Sequence, residues 1–395
     1  MFTQTRIALA VLCLAALPVL AQSTSDKNPR ARDLGVPFEG TPGRLNAITD
    51  VPGVEVGATT LIRGDGALKV GEGPVRTGVT VVFPRGKHSS DNVYAGWFSL
   101  NGNGEMTGTT WLEEAGLLKG PVAITNTHSV GVVRDSVIEW AFKQNLMKAD
   151  EWSLPVVAET WDGWLNDING FHVKQADVFA ALDSAKTGSV AEGNTGGGTG
   201  MICYGFKGGT GTASRVLSAE NGGYTVGVLV QCNCGRRPQL TIAGVPVGRE
   251  ITGAEPYAQV SEPALPGSEQ KGDVGSIIIV VATDAPLLPH QLKRIARRAS
   301  LGVARTGSIS GNGSGDIFIA FSTANPHADD GPGPNTVRTV TTDRISPLFE
   351  ATVEATEEAI VNAMVGAKTM TGINGRTVMA LPHEKLQQVL KKYNR

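Results

Sequence analysis

The segment that most limits the possible folds of this chain is the uninterrupted apolar run at residues 277–282, which reads Ile-Ile-Ile-Val-Val-Ala. Its β-branched side chains favour an extended backbone, and the lack of alternating polar residues indicates a strand that is covered on both faces. The sequence therefore predicts a layered α/β protein in which this strand is buried.

Amphipathic helices that can cover such a sheet follow the run. One is predicted after Pro286 and is expected to end at Gly302; its apolar face carries Leu288, Leu292, Ile295 and Ala299. A second is predicted between Pro347 and Lys368, with acidic residues early and a basic residue late, as the helix dipole favours. Further strands are predicted at residues 78–83, 121–125 and 224–232, and further helices at residues 110–118, 137–148 and 174–185.

The composition excludes several classes of protein. With 41% hydrophobic and 18% charged residues, the chain can bury enough apolar surface to fold, which excludes intrinsic disorder. A formal net charge of −2 gives no electrostatic basis for a nucleic-acid partner. Glycine accounts for 50 of the 395 residues but follows no three-residue period, which excludes collagen. We expect these glycines in turns and at close backbone approaches.

The first 21 residues have the pattern of a secretory signal peptide. Arg6 precedes an apolar stretch at residues 7–20, and residues 19–21 read Val-Leu-Ala, which suits a signal peptidase. An uncleaved anchor is the alternative. Beyond the leader, no run approaches the roughly 20 apolar residues that span a bilayer. We therefore expect a periplasmic or secreted protein that has no membrane attachment after residues 1–21 are removed.

The cysteines favour neither a disulfide framework nor a metal site. Removal of residues 1–21 leaves the odd set Cys203, Cys232 and Cys234, and zinc requires more ligands at metal-site spacing. We expect small buried thiols. Residues 327–330, His-Ala-Asp-Asp, lie in a Pro- and Gly-rich stretch and are predicted to form a solvated turn rather than a metal site. Phosphate-binding, dinucleotide-binding and metalloprotease motifs are absent, and no cofactor is predicted.

The pair Gly275-Ser276 joins a linker-like stretch at residues 256–275, rich in Pro, Ser, Glu and Gly, to the apolar run. A seryl hydroxyl at such a junction can attack the preceding carbonyl, and water then cleaves the ester and leaves Ser276 with a free α-amine. That amine, with a reference pKa of about 7.7–8.0, can act as the base for the neighbouring hydroxyl. The alternative is that the pair forms an ordinary turn.

Several long blocks of sequence occur together in one order after the leader. They are NGNGEMTG (101–108), TNTHSVG (125–131), ETWDG (159–163), FKGGTGTASR (206–215), Gly275-Ser276 before ATDAPLLPH (282–290), and GNGSGD (311–316). Together they resemble the DmpA-type family of L-aminopeptidase/D-esterases and β-peptidyl aminopeptidases, and the β-aminopeptidases most closely.

This resemblance implies a fold and a chain organisation. The fold would be a four-layer αββα sandwich of the DmpA/ornithine acetyltransferase type, in a self-processed N-terminal-nucleophile hydrolase. Cleavage between Gly275 and Ser276 would give an α chain of residues 22–275 and a β chain of residues 276–395, both part of one catalytic domain. The resemblance also implies a homo-oligomer of αβ heterodimers.

The resemblance also implies roles for individual residues. Ser276 matches the nucleophile, and Asn233 matches the amide donor of the oxyanion hole. Ser314 and Asp316 match a Ser-x-acid pair that orients the nucleophile and its amine, and Glu159 matches the carboxylate that holds the substrate's ammonium group. Structural alternatives are a strand-edge role for Asn233, turn formation by Ser314 and Asp316, and an ion pair between Glu159 and an arginine.

Trp161 points to the substrate class, because β-aminopeptidases of this family tend to have Trp at this position and aminopeptidase/D-esterases tend to have Tyr. The function expected is thus an exported serine aminopeptidase that removes N-terminal β-amino acids from peptides and amides through an acyl-enzyme on Ser276. The alternative within the family is an L-aminopeptidase/D-amino-acid esterase-amidase. Alternatives of other classes are an ornithine-type acetyltransferase, which uses a Thr nucleophile, and an inactive exported binding protein.

Overall fold

The computed structural model describes Met1 and residues 28–253, 255–256, 275–327 and 329–395. The helices of these residues are α1 (Thr109–Ala115), α2 (Val130–Lys143), α3 (Gln175–Asp183), α4 (Val247–Glu250), α5 (Pro289–Arg305), α6 (Ser346–Val365) and α7 (His383–Lys392). The strands are β1 (Glu55–Arg63), β2 (Val75–Phe83), β3 (Val93–Ser99), β4 (Leu117–Leu118), β5 (Val122–Asn126), β6 (Val156–Thr160), β7 (Ile202–Cys203), β8 (Phe206–Lys207), β9 (Gly209–Val216), β10 (Thr225–Asn233), β11 (Ser276–Thr283), β12 (Ile317–Ser322), β13 (Met370–Thr371) and β14 (Thr377–Val378).

Two mixed sheets form the centre of the molecule. A six-stranded sheet has the order β4-β3-β12-β11-β10-β9, and a four-stranded sheet has the order β1-β2-β5-β6. In the larger sheet β11 is parallel to β12 and antiparallel to β10, and in the smaller one β5 is parallel to β6. The apolar run of the sequence is thus a central strand, as predicted.

The side chains of β11 define the layers of the fold. Ile277 and Ile279 pack in one apolar cluster with residues of α5 and α6, whereas Ile278 and Val280 pack in another with residues of the four-stranded sheet. This alternation follows from the two-residue period of a strand. A third cluster joins the outer face of the four-stranded sheet to α2 and α3. The layers are therefore helix, sheet, sheet and helix, which confirms the four-layer αββα sandwich.

Helix α5 extends beyond its predicted end. It continues through Gly302 to Arg305, so the prediction that Gly302 ends the helix is wrong. A Cβ atom at residue 302 would lie 2.5 Å from Cβ of Thr356 in α6. The glycine therefore allows two helices to approach closely and does not act as a cap. Helix α2 likewise begins earlier and ends earlier than the predicted 137–148.

Two sequence predictions fall mainly outside the described residues. Of the predicted signal peptide, residues 1–21, only Met1 is described, and of the predicted linker, residues 256–275, only its two terminal residues are described. Among the helices in the described part of the chain, none combines the length and the hydropathy that crossing a bilayer requires.

Candidate active site

The strand order brings three chain segments to one edge of the six-stranded sheet. Ser276 is the first residue of β11, and in the antiparallel register its partner on β10 is Asn233. Strand β12 runs parallel to β11 and begins directly after Asp316. Residues 233, 276 and 314–316 therefore meet, although as many as 83 positions separate them in the sequence.

The Ser276 hydroxyl is almost fully buried and is held by backbone. The Gly315 amide N–H donates to Ser276 Oγ at 3.0 Å, and the Ser276 residue is only 5% exposed. The preceding residue has to be small, because a Cβ atom at residue 275 would lie 1.9 Å from the carbonyl oxygen of Asn233. Glycine before the serine is thus required by the close approach of β10.

Asp316 links Ser314 to the start of β11 through two hydrogen bonds. The Ser314 hydroxyl donates to Asp316 Oδ1 at 2.6 Å, and the Ile277 amide N–H donates to the same oxygen at 3.1 Å. Both Ser314 and Asp316 are fully buried. The carboxylate therefore lies next to the residue that follows Ser276, which suits a group that orients the serine and its amine.

The side-chain amide of Asn233 is fixed by two backbone groups. Its Oδ1 accepts from the Ile202 amide N–H at 2.7 Å, and its Nδ2 donates to the Trp161 carbonyl oxygen at 3.0 Å. An amide nitrogen carries two hydrogens, and the second one makes no further hydrogen bond to the described part of the chain. The sheet partner of Ser276 thus presents a preoriented donor.

Glu159, the penultimate residue of β6, is a buried carboxylate without an arginine partner among the described residues. Its Oε1 accepts from the Glu105 amide N–H at 3.0 Å, and its Oε2 accepts from the Thr127 hydroxyl. Burial raises the pKa of the Glu159 carboxyl, and these two hydrogen bonds oppose the rise. The arginine ion pair considered from the sequence is therefore not formed, and the carboxylate is available to a cationic ligand.

Gly104 lies between Glu159 and Gly315. A Cβ atom there would lie 3.1 Å from Gly315 Cα and 3.3 Å from Glu159 Oε1, so the glycine fills the narrow space between them. Trp161, two residues beyond Glu159, is 38% exposed, and its indole ring lies over Gly163. The structure thus brings together every site residue predicted from the sequence.

A buried lysine and a buried aspartate lie behind the Asn233 amide. The Lys207 ammonium donates to the carbonyl oxygens of Met201 at 2.7 Å and Gly208 at 2.9 Å, next to the residue that holds Asn233 Oδ1. Burial lowers the pKa of Lys207 to about 7 and raises the pKa of Asp162, the residue after Trp161, to about 7. Lys207 therefore holds the backbone beside Ile202, whose N–H orients the Asn233 amide.

Cys203 and Cys232 form a disulfide, so the prediction of free thiols is wrong for these two residues. Strand β7 brings Cys203 to the end of β10, a tertiary contact between residues 29 positions apart that cysteine spacing does not predict. Cys234 stays a thiol, with its Sγ 4.0 Å from Cys232 Sγ. The disulfide adjoins the hydrogen bond between Ile202 and Asn233.

Other groups at this site were not predicted from the sequence. They are the backbone N–H groups of Gly315 and Glu105, the hydroxyl of Thr127 and the amide of Asn101, all of which lie within the blocks that carry the family resemblance.

The predicted solvated turn at residues 327–330 contains an exposed contact of 2.9 Å between His327 Nδ1 and an Asp330 carboxylate oxygen.

Comparisons with known proteins match most of the chain. The family described as peptidase family S58 matches residues 46–378. A beta-peptidyl aminopeptidase, BapA, from Sphingosinicella microcystinivorans is 57% identical over 381 residues, which are 95% of this chain and 96% of that protein.

Two solved structures are similar over most of the chain. One is the L-aminopeptidase D-Ala-esterase/amidase from Ochrobactrum anthropi, described as a prototype serine aminopeptidase with a variant of the Ntn hydrolase fold. It has a TM-score of 0.85 and 49% identity, and the match covers 93% of this chain and 99% of that one. The other is a Burkholderia sp. beta-aminopeptidase, with a TM-score of 0.80 and 48% identity over 92% of this chain and 99% of that one.

Proposed function

Because the chain belongs to peptidase family S58 and is a hydrolase of the aminopeptidase class, we propose that Ser276 is its nucleophile and is released by cleavage of the Gly275–Ser276 bond. The observation that carries the proposal is the position of Ser276 at the start of a central strand, where its Oγ accepts from the Gly315 N–H. Asn233 is its register partner on the neighbouring strand.

Self-cleavage uses the contacts that hold the serine. Ser276 Oγ bonds to the carbonyl carbon of Gly275, the C–N bond between the residues breaks, and the nitrogen takes the hydroxyl proton. Water then hydrolyses the ester and leaves a carboxylate on Gly275 and a free α-amine on Ser276. The products are an α chain of residues 22–275 and a β chain of residues 276–395, which together form the catalytic domain.

The new α-amine then serves as the base for substrate cleavage. It takes the proton of Ser276 Oγ as this oxygen attacks the substrate's amide carbonyl, and it passes the proton to the departing amine. Asn233 Nδ2 donates to the oxyanion of the tetrahedral intermediate, a contact of a kind that contributes about 10²–10³ in kcat. Asp316 and Ser314 orient the amine, and water releases the acyl group from Ser276.

Glu159 binds the substrate's N-terminal ammonium group and so makes the enzyme an exopeptidase. Its burial and its lack of an arginine partner among the described residues support this role, because an unpaired buried carboxylate favours a cation. Trp161, two residues further along the chain, is partly exposed, and we propose that its indole contacts the substrate's acyl group. This tryptophan and the names of the similar BapA and Burkholderia proteins favour substrates with an N-terminal β-amino acid.

The proposal also covers the location of the protein, its assembly and its need for cofactors. Residues 1–21 direct the chain to the periplasm or the medium, the αβ heterodimers assemble into a homo-oligomer, and the reaction uses no cofactor or metal. The alternative within the family is L-aminopeptidase/D-amino-acid esterase-amidase activity, as in the named Ochrobactrum anthropi protein. Membership of a peptidase family disfavours an ornithine-type acetyltransferase, and an inactive binding protein is tested directly below.

The test of the nucleophile compares the purified wild-type protein with Ser276→Ala by denaturing gel and intact mass. We expect two wild-type chains that begin at Gln22 and Ser276, and a single uncut Ser276→Ala chain without peptidase activity. A slow amide substrate should add its acyl mass to the wild-type β chain. An uncut wild-type chain with full activity, or an active Ser276→Ala variant, would contradict the proposal and favour another nucleophile.

The substrate class is tested on the cleaved enzyme with β-alanyl and L-alanyl p-nitroanilides. We expect a higher kcat/KM for the β-alanyl compound and a weaker preference in Trp161→Tyr. A clear wild-type preference for the L-alanyl compound would instead support the alternative within the family.

A further inference from the structure

The loop that presents three groups of the proposed site has no regular secondary structure. Residues 308–316 form the last part of the connection between α5 and β12 and carry Ser314, Gly315 and Asp316. Ser310 adopts a φ of 50°, in the left-handed region that costs energy for a residue other than glycine. The shape of this loop must therefore be imposed by contacts with the rest of the molecule.

Asn101 supplies three of those contacts through one side-chain amide. Its Oδ1 accepts from the Asp316 amide N–H at 2.6 Å, and its Nδ2 donates to the carbonyl oxygens of Ser310 and Gly311, both at 3.1 Å. Both amide hydrogens are thus used, and the two ends of the loop are joined through one planar group.

The strand register explains why Asn101 reaches this loop. Ser99, the last residue of β3, pairs with Ile317, the residue after Asp316. The chain then continues past the end of the sheet, where the Leu100 N–H donates to the Asp316 carbonyl oxygen at 2.9 Å. Asn101 follows and faces the loop.

We infer that Asn101 is a positioning residue for the reaction at Ser276. It acts through the loop: by fixing Asp316 and the start of the loop, it sets the Gly315 N–H against Ser276 Oγ and the Asp316 carboxylate against the Ile277 N–H. This inference rests on the proposed function. It adds that, in the cleaved enzyme, the α chain controls the geometry of catalytic groups that belong to the β chain.

The test uses Asn101→Ala, with Asn194→Ala as the matched control. Asn194 is also half-buried and also binds β-chain backbone, since its amide contacts the N–H and the carbonyl oxygen of Lys368, which is outside the loop. Fully cleaved protein is compared for both variants, so that slow self-cleavage does not reduce the measured rate. We expect Asn101→Ala to lower kcat by about 10²-fold with KM nearly unchanged. Asn194→Ala should keep kcat within about threefold of wild type.

A second variant tests the position of Asn101 through the pH profile. Asn101→Asp keeps the acceptor for the Asp316 N–H and adds a negative charge near the Ser276 amine, which raises the pKa of that amine. The acid limb of the kcat profile should therefore move to higher pH, whereas Asn194→Asp should leave it in place. A loss of stability alone would not cause this shift. Asn101→Asp therefore tests the inference even if Asn101→Ala does not fold.

Wild-type kcat in cleaved Asn101→Ala, or an unmoved acid limb in Asn101→Asp, would overturn the inference. Failure of the proposed function is detected separately, by the absence of an acyl adduct on wild-type Ser276. An adduct on Ser276 together with an unaffected Asn101→Ala would reject the role of Asn101 alone.

Discussion

Among the single residues of the site, Glu159 is the one whose charge state we expect to control substrate binding most directly. Burial raises the pKa of its carboxyl above the ordinary value. The ionised form is the one that attracts an ammonium group, so binding weakens as the pH falls through this raised pKa. The acid side of the kcat/KM profile, which reports the free enzyme, should therefore contain an ionisation of Glu159 in addition to that of the Ser276 amine.

Glu159→Gln tests this assignment. The amide keeps the size of the side chain and removes the charge, so we expect kcat/KM at neutral pH to fall by about 10- to 100-fold, mainly through KM. The Glu159 ionisation should disappear from the kcat/KM profile, while the ionisation of the amine stays. Substrates without an N-terminal ammonium group serve as the control. For them, kcat/KM should be the same in Glu159→Gln and in the wild type. An unchanged KM would contradict the role of Glu159.

At the residue scale, the sequence predicts the proposed catalytic side chains better than the groups that hold them. Ser276 and Glu159 lie in blocks that carry the family resemblance. The structure pairs Asn233 with Ser276 in the sheet and bonds its amide to the carbonyl oxygen of Trp161, two residues after Glu159. The Gly315 N–H and the amide of Asn101 were not predicted. Backbone N–H groups have no sequence signature, and the contacts of Asn101 depend on the register between β3 and β12, which a single sequence does not specify.

At the scale of elements, the Cys203–Cys232 disulfide joins β7 to the end of β10. Replacing both cysteines by alanine should lower the free energy of unfolding by about 2–4 kcal/mol. Because the bond adjoins the contact between Ile202 and Asn233, kcat should fall as well. Reductant should reduce the stability of the wild type and have no effect on the double variant, as measured by thermal unfolding.

A thiol titration provides the control for that prediction. In denaturant, protein purified without residues 1–21 should expose one thiol, that of Cys234, out of its three cysteines. The Cys234→Ala variant should then show no titratable thiol, and reductant should still lower its thermal stability. Three titratable thiols in the native preparation would rule out the disulfide.

Patterns within single elements predicted the helices and strands well, and contacts between elements account for the errors. The apolar run at residues 277–282 is a central strand because both of its faces pack against other layers. Gly302 has the local signature of a helix end, but it lies inside α5. The close approach of Thr356 on the neighbouring helix leaves no room there for a side chain. Such a close approach depends on how α5 and α6 pack, which the sequence of α5 alone does not contain.

At the scale of the whole molecule, the two proposed chains are joined by a buried ionic cluster. Glu358 of α6 is nearly inaccessible, and it accepts from Arg32 Nε and Arg215 Nη2, both at 2.8 Å. The Asn46 amide donates to it at 2.6 Å. All three partners belong to the proposed α chain and Glu358 to the β chain, so after cleavage this carboxylate would help to hold the heterodimer together.

Glu358→Gln should therefore weaken the cleaved heterodimer strongly. It removes the carboxylate that Arg32 and Arg215 share and leaves Arg215 with Glu354, at 3.3 Å, as its remaining carboxylate partner. Removing one partner of a buried pair costs about 3–5 kcal/mol, and Glu354 offsets part of that loss. We expect a lower Tm and separation of the two chains on size-exclusion columns at lower urea concentration. Glu250→Gln is the matched control, since Glu250 also contacts the β chain through Lys392, which is exposed, and should leave the Tm unchanged. Equal urea resistance of Glu358→Gln and wild type would show that apolar packing alone holds the chains together.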